Sequence, residues 1–230
     1  MILNERQQAI LKSLENSEFV KVRTLAKELY VSEMTIRRDL EALERKNLLK
    51  RCHGGAVRIG NYMEYPIKVR MSINSKEKKD LAEQSKKYLT DGQVIFFNSS
   101  STCAYIIPYL KNYKNIKVIT NSVHLLVLLG KYHIPCALTG GDYFEAERCL
   151  VGRNAENYMR DINVDIAFIS GEGLSNDGYI TDGNADLAEI SKIALRNARV
   201  RILLMDSSKL ENKYTYNICN INDANDLIIV

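Results

Sequence analysis

Apolar residues recur at helical spacing in the first quarter of the chain and gather into short continuous runs after it. Asn4 followed by Gln7 has the form of a helix N-cap with a reciprocal partner three positions on, and Ile10, Leu11 and Leu14 follow at helical spacing. They predict a helix over residues 5–15. After a short apolar piece at Phe19–Val20, Leu25, Ala26 and Leu29 mark a second helix of two turns that ends at Tyr30–Val31. Ser32 can cap a third helix, whose buried stripe is Ile36, Leu40 and Leu43 at i, i+4 and i+7. Asn47 can end it in the left-handed conformation. Leu48–Arg51 and Ala56–Arg58 then read as two short strands about Gly54–Gly55. Short helix, tight turn, longer helix and β-wing make a winged helix-turn-helix over residues 1–58.

Residues 58–74 lack a clean period and read as a linker, set at 59–74. From residue 75 to 230 helical and strand-like pieces alternate, the pattern of an α/β domain with a mainly parallel sheet. Helices are predicted near 76–89, 102–110, 122–130, 150–160 and 184–198. Strands are predicted at 93–97, 116–120, 134–139, 165–170, 200–205 and 226–230.

The exposed face of the third helix carries the chemistry of the smaller domain. Met34, Thr35, Arg37 and Arg38 lie near its N-terminal end, where recognition helices meet base edges. An arginine fork can take guanine O6 and N7 together, Thr35 can bond a base or phosphate, and Met34 can touch a thymine methyl. Lys50, Arg51 and His53 on the wing are placed for phosphates or the adjacent minor groove. Spacing alone also fits a three-helix bundle whose arginines are solvated charges. Charge distribution adds weight to double-stranded DNA as partner: residues 1–58 hold 12 Lys/Arg against 8 Asp/Glu, and the rest holds 20 of each.

Five scattered cysteines without a CxxC pair suggest neither a disulfide framework nor a zinc site, and suit the cytoplasm. The longest strongly apolar stretch, Leu125–Leu129, is far too short to span a bilayer, so no membrane role is expected. No metal, cofactor or catalytic residue is expected.

The strings ERQQAIL, LAKELYVSEMTIRRDLEALE and LLKRCHGGA resemble the DeoR family of bacterial transcriptional regulators across the whole smaller domain. The resemblance implies DNA contacts at Ser32, Thr35, Arg37, Arg38, Arg51 and His53. Two departures are Lys21, where the family commonly has a capping Ser, and Asn47, where it usually has Gly.

In a parallel sheet, ligands bind beyond the carboxyl ends of the strands. There the sequence is small and polar: Asn98-Ser99-Ser100-Ser101-Thr102 leads into a predicted helix whose free N–H groups favour an anion, and Thr120-Asn121-Ser122 repeats the design. The serines would cap a helix equally well. Gly140–Gly141 permits close backbone approach, and the loop GEGLSNDGYITDGN offers Glu172, Asp177 or Asp182 to sugar hydroxyls. Lys209 supplies a cation at the same edge. These elements resemble the DeoR effector-binding domain, a fold related to the ribose-5-phosphate isomerase group. The resemblance implies a phosphorylated sugar effector with its phosphate at residues 98–102, and a repressor of a carbohydrate operon working as a homodimer or homotetramer. Asn98 and Ser100 depart from the Asp and Gly usual there, so a regulator that has lost its ligand stands as an alternative, as does an isomerase-like enzyme using Glu172 or Asp182.

Overall fold

A computed structural model describes residues 3–15, 17, 19–46, 48–52, 54–58 and 67–230. Its contacts divide the chain into two units, Met1–Asn74 and Ser75–Val230. Asn47 and His53 lie outside the described residues.

The smaller unit runs α1 (Glu5–Glu15), β1 (Phe19–Lys21), α2 (Val22–Glu28), α3 (Glu33–Glu44), β2 (Leu49–Cys52), β3 (Gly55–Arg58) and α4 (Ile67–Ser72). The N–H of Gln7 donates to Asn4 Oδ1 at 2.8 Å, which closes the forward half of the expected box on α1. The N–H of Thr35 donates to Ser32 Oγ at 3.2 Å and starts α3. No side chain caps α2 at Lys21. The stripe of α3 is buried as its spacing requires: Ile36, Leu40 and Leu43 pack with Ile10, Leu14, Leu25 and Leu49 in one core.

Two features of this unit were not legible as elements. Phe19–Lys21 is a strand, paired antiparallel with β3 so that the wing is a three-stranded sheet in the order β1-β3-β2. The pairing explains one glycine of the wing: a Cβ on Gly55 would stand 2.0 Å from the carbonyl oxygen of Val20. Within the stretch read as a linker, Ile67–Ser72 is helical, with Ile67 and Ile73 buried and Ile73 packed on Val57. A helix of six residues shows too little of its period to be seen in sequence.

Helix α3 is tied to α1 by charge as well as packing. Asp39 is buried on the core side of α3, and Arg6 grips it with both Nε and Nη2, the latter at 3.2 Å.

The larger unit is an α/β fold. Its six-stranded sheet has the order β14-β12-β9-β4-β5-β6, from β4 (Val94–Phe97), β5 (Lys117–Thr120), β6 (Cys136–Leu138), β9 (Val164–Ile169), β12 (Ala198–Met205) and β14 (Asp226–Ile229). Every neighbouring pair is parallel. These are the six strands predicted, with ends shifted by one or two residues in most cases. Their near-continuous apolar composition follows from burial on both faces. The helices are α5 (Ser75–Ser85), α6 (Ile107–Leu110), α7 (Val123–Lys131), α8 (Arg153–Arg160) and α9 (Ala185–Arg196). α8 lies against α9, which contacts β9 and β12.

The remaining elements correct three expectations. The helix expected over 150–160 starts at Arg153, because its first residues belong to β8 (Cys149–Val151), which pairs with β7 (Asp142–Phe144). The segment expected as one helix over 102–110 is a 3-10 turn at Cys103–Tyr105 followed by the single α-turn α6. Pro108 has no N–H to return to the carbonyl of Ala104, which breaks the ladder there. The expected polar loop contains β10 (Gly173–Leu174) and β11 (Tyr179–Asp182), which form a second sheet with β13 (Tyr216–Asn220) in the order β10-β11-β13. Strands of two to five residues with mixed polarity leave no period to read.

Replacing Asp39 by Ala removes the acceptor of Arg6 at a buried position, for an expected loss of about 1–3 kcal/mol. Urea unfolding followed by circular dichroism reads it, and an unshifted midpoint would show that the pair adds nothing to the smaller unit, the head of the chain.

Candidate nucleic-acid interface and sensor crevice

On the smaller unit, α3 separates its roles by face. While Ile36, Leu40 and Leu43 are buried, Met34 is 61% exposed and Arg37 and Arg38 are exposed beside it. Arg37 lies 3.5 Å from Glu33 one turn earlier, an exposed pair that leaves the guanidinium in solvent. Ser32 and Thr35 are already engaged with each other, hydroxyl to hydroxyl at 2.9 Å, as well as in the cap. On the wing, the carboxylate of Glu44 at the end of α3 accepts from the backbone N–H of Arg51 at 2.8 Å and from its Nε at 2.6 Å. Arg51 is thereby held against the recognition helix. Glu44 and Asp39 were not singled out in the sequence; the spacing gives no sign that these carboxylates face inward partners.

On the larger unit, connectivity fixes where a ligand can enter. From β4 the chain moves outward through β5 and β6, then returns to the other side of β4 for β9, β12 and β14. The order therefore reverses between β4 and β9, and the crevice of such a sheet opens beyond the carboxyl ends of those two strands. Phe97 pairs with Thr120 on one side and with Phe168 on the other, so the turns after β4, β5 and β9 share one edge.

Asn98 and Ser170 face each other across the reversal. Asn98 Nδ2 donates to the carbonyl of Ser170 at 3.0 Å, and Asn98 Oδ1 accepts from the Ser170 N–H at 3.4 Å. Lys209, in the turn after β12, reaches the same spot: its Nζ donates to Ser170 Oγ at 2.7 Å and to the carbonyl of Gly171 at 2.8 Å. It is 9% exposed, and the buried carboxylate of Asp206 stands 4.0 Å away. The crevice thus holds a buried cation bonded to a hydroxyl and a carbonyl, with a buried carboxylate at ion-pair distance. Ser170 escaped notice because it extends an apolar strand by one residue; its role shows only once the register is known.

The hydroxyl run at 98–102 is buried except for Ser100, which accepts from the N–H of Cys103 at 3.2 Å. Thr102 is fully buried, and its Oγ1 has no hydrogen-bond partner among the described residues. Burial pushes the Cys103 thiol up to about 12, against the opposing influence of Ser100 and Lys209, so it stays protonated beside this cation.

The second turn is committed to structure. Ser122 caps α7 by accepting from Leu125 N–H, and Thr120 Oγ1 accepts from Ser122 N–H. Asn121 is fully buried: its Nδ2 donates to the Leu150 carbonyl at 3.2 Å, whereas its Oδ1 has no partner among the described residues. Gly141 meets the chain itself, since a Cβ there would lie 2.4 Å from the Val151 carbonyl, while Gly140 is exposed. Glu172 accepts from the N–H of Gly183, beside Asp182, and the two carboxylates help burial to raise the Tyr214 hydroxyl. Asp182 Oδ1 accepts from the N–H of Asn184, just before α9. Asp177 is paired with Lys213 at 2.8 Å. Among the described residues no three His, Cys, Asp or Glu side chains gather as a metal cluster, and no helix is long and apolar enough to cross a membrane.

A DeoR-like helix-turn-helix domain matches residues 6–61, and a DeoR C terminal sensor domain matches residues 73–229. The chain belongs to the DeoR family. It is a DNA-binding transcriptional regulator with a sensor domain. The chain is 33% identical to the uncharacterized HTH-type transcriptional regulator YulB of Bacillus subtilis over 99% of this chain and 89% of that protein. It is 32% identical to the lactose phosphotransferase system repressor of Lactococcus lactis (90% and 82% covered) and 30% identical to the L-fucose operon activator of Escherichia coli (97% and 93%). Among solved structures, ribose 5-phosphate isomerase A from Methanocaldococcus jannaschii is 24% identical, with 60% of this chain and 55% of that chain covered and a TM-score of 0.45.

Asn98→Ala strands the N–H and the C=O of Ser170 at the strand reversal. It is expected to cost about 1–3 kcal/mol in urea unfolding. A wild-type midpoint would mean that Asn98 does not hold β4 to β9.

Proposed function

We propose that this DeoR-family regulator represses a carbohydrate-metabolism operon by gripping two operator half-sites with paired heads, as a homodimer or homotetramer in the cytoplasm. A phosphorylated sugar in the sensor crevice shifts the population between DNA-competent and incompetent arrangements. The observation that carries the DNA half is the division of α3 into a buried stripe and an exposed N-terminal end bearing Met34, Arg37 and Arg38. In this reading Arg37 and Arg38 reach guanine edges, Met34 and Thr35 complete the base contacts, and Ser32, Lys50, Arg51 and His53 meet the backbone. The clamp of Glu44 on Arg51 Nε supports a wing held ready for phosphate.

The effector half rests on Lys209, a buried cation at the strand reversal, with the 98–102 turn across from it. Ser99, Ser100, Ser101 and Thr102 take the phosphate with Lys209, while Glu172 and Asp182 take sugar hydroxyls; Asn98, Thr120, Asn121, Ser122, Gly140 and Gly141 shape the walls. A lactose-system repressor and a fucose-operon activator among the relatives support sugar metabolism as the field, with repression taken from the first.

Fluorescence anisotropy against the DNA upstream of the protein's own transcription unit, at two salt concentrations, tests the first half. Arg37→Ala is expected to weaken operator binding by about 1–3 kcal/mol and binding to random DNA far less. Equal, weak binding to both DNAs by the wild type, unmoved by Arg37→Ala, would sink the recognition-helix assignment.

A thermal-shift panel of sugar phosphates tests the second half. At least one is expected to raise the midpoint of the wild type, since a ligand of the native state stabilises it. Lys209→Met should lose that rise while still binding operator DNA. A panel that moves nothing would favour a regulator that has lost its ligand.

A further inference from the structure

Helix α2 ends in a way that its sequence does not favour. The N–H of Val31 donates to the carbonyl of Ala26 at 3.0 Å, and that of Tyr30 to the carbonyl of Lys27 at 3.4 Å. This pair of bonds is a Schellman motif, and it places the residue after the C-cap in the left-handed region. Tyr30 occupies that position with φ +53. Glycine is the usual occupant, because any Cβ there crowds the following carbonyl.

The side chain gives the smaller unit nothing in return. Tyr30 is 95% exposed, the most exposed large hydrophobic side chain among the described residues, whereas Val31 next to it packs against the core. A large aromatic placed in solvent on a strained backbone breaks two local rules at once, and such breaks concentrate where a residue serves binding. Its location is specific. Tyr30 lies in the turn between the two helices of the motif, two residues before the cap of α3, at the end of α3 that carries Met34 and Arg37. When that end enters a major groove, the turn leading into it passes beside the sugar-phosphate strand at the groove's rim. A tyrosine hydroxyl is a common donor to phosphate oxygens.

We propose that Tyr30 is a DNA-backbone contact, its hydroxyl donating to a phosphate at the rim of the groove that α3 enters. This rests on the reading of the smaller unit as the operator-binding head. The contact positions the recognition helix and carries no base information, which separates it from Arg37. It is also uncharged, so it releases no counterion.

The test uses the full chain and three variants, Tyr30→Phe, Tyr30→Gly and Arg37→Ala, by anisotropy on operator and on random DNA over a salt series. Tyr30→Phe removes only the hydroxyl. It is expected to weaken binding to both DNAs by the same factor, roughly 3- to 10-fold, with an unchanged salt slope. Tyr30→Gly should weaken DNA binding at least as much, while its thermal midpoint stays at or above that of the wild type because the left-handed turn is relieved. Loss of affinity with retained stability separates a lost contact from a damaged fold. Wild-type affinity in Tyr30→Phe alongside a weakened Arg37→Ala would overturn the inference and leave the operator-binding reading intact. So would a Tyr30→Phe defect confined to the operator, which would make Tyr30 a base reader. Failure of the wild type to prefer the operator would instead overturn the reading on which the inference rests.

Discussion

The hydrogen bonds between the side chain of Asn98 and the peptide of Ser170 join the two strands at which the sheet reverses its order, and the sensor crevice depends on them. A parallel sheet that grows outward in both directions from β4 parts at its carboxyl edge, where the connections leave in opposite directions. Polar backbone exposed in that gap must be satisfied by something other than the sheet ladder. An amide is suited to the task, because it offers a donor to the carbonyl and an acceptor to the N–H at once. A carboxylate at position 98 could accept but not donate. The asparagine that looks in the sequence like a weakened effector residue is, in the structure, a fitted bridge. That bridge in turn presents Ser170 Oγ and the Gly171 carbonyl to Lys209.

The smaller unit solves a different problem, that of exposing one face of a helix whose other face holds the core. α3 contributes Ile36, Leu40 and Leu43 to burial and keeps the neighbouring positions 34, 37 and 38 in water. Packing alone fixes the helix axis loosely, since apolar contact is non-directional. Two carboxylates add direction. Asp39 ties the middle of α3 to Arg6 on α1, and Glu44 ties its end to Arg51 on the wing. Both bonds are charge-assisted, the first to the guanidinium fork and the second to one guanidinium nitrogen and a backbone N–H, and between them they set the rotation of the exposed face relative to the wing.

How much of this was readable follows from the length and period of each element. The three head helices and the six strands of the main sheet carry either a sustained 3.6-residue stripe or an apolar run bounded by polar turns. The hairpin Asp142–Val151 and the β10-β11-β13 sheet carry neither; their strands are two to five residues long and of mixed polarity, and Thr181 and Asn217 come together only in the fold. Pro108 was visible, and its consequence for the 102–110 segment follows from the missing N–H, yet the apolar run around it masked the break. For the site, strand ends located the crevice, but burial did not follow from them. The sequence places Lys209 at the crevice edge, but only the register between β9 and β12 brings its ammonium, buried, to the Ser170 hydroxyl.

The crevice is placed where binding can be turned into a change of state. Lys209 follows β12, on one side of the reversal, and the 98–102 turn follows β4, on the other. An anion held by both would pull together two parts of the sheet that are otherwise joined at that edge by Asn98 and Ser170. Tight binding by itself shifts no equilibrium; only a difference in affinity between two arrangements does. A ligand confined to one turn would experience nearly the same surroundings in either arrangement. One that spans the reversal contacts groups whose separation can differ between arrangements, so its binding energy differs with them. The buried cation strengthens that dependence, because in a site with little water the attraction to an anion falls steeply as the two move apart.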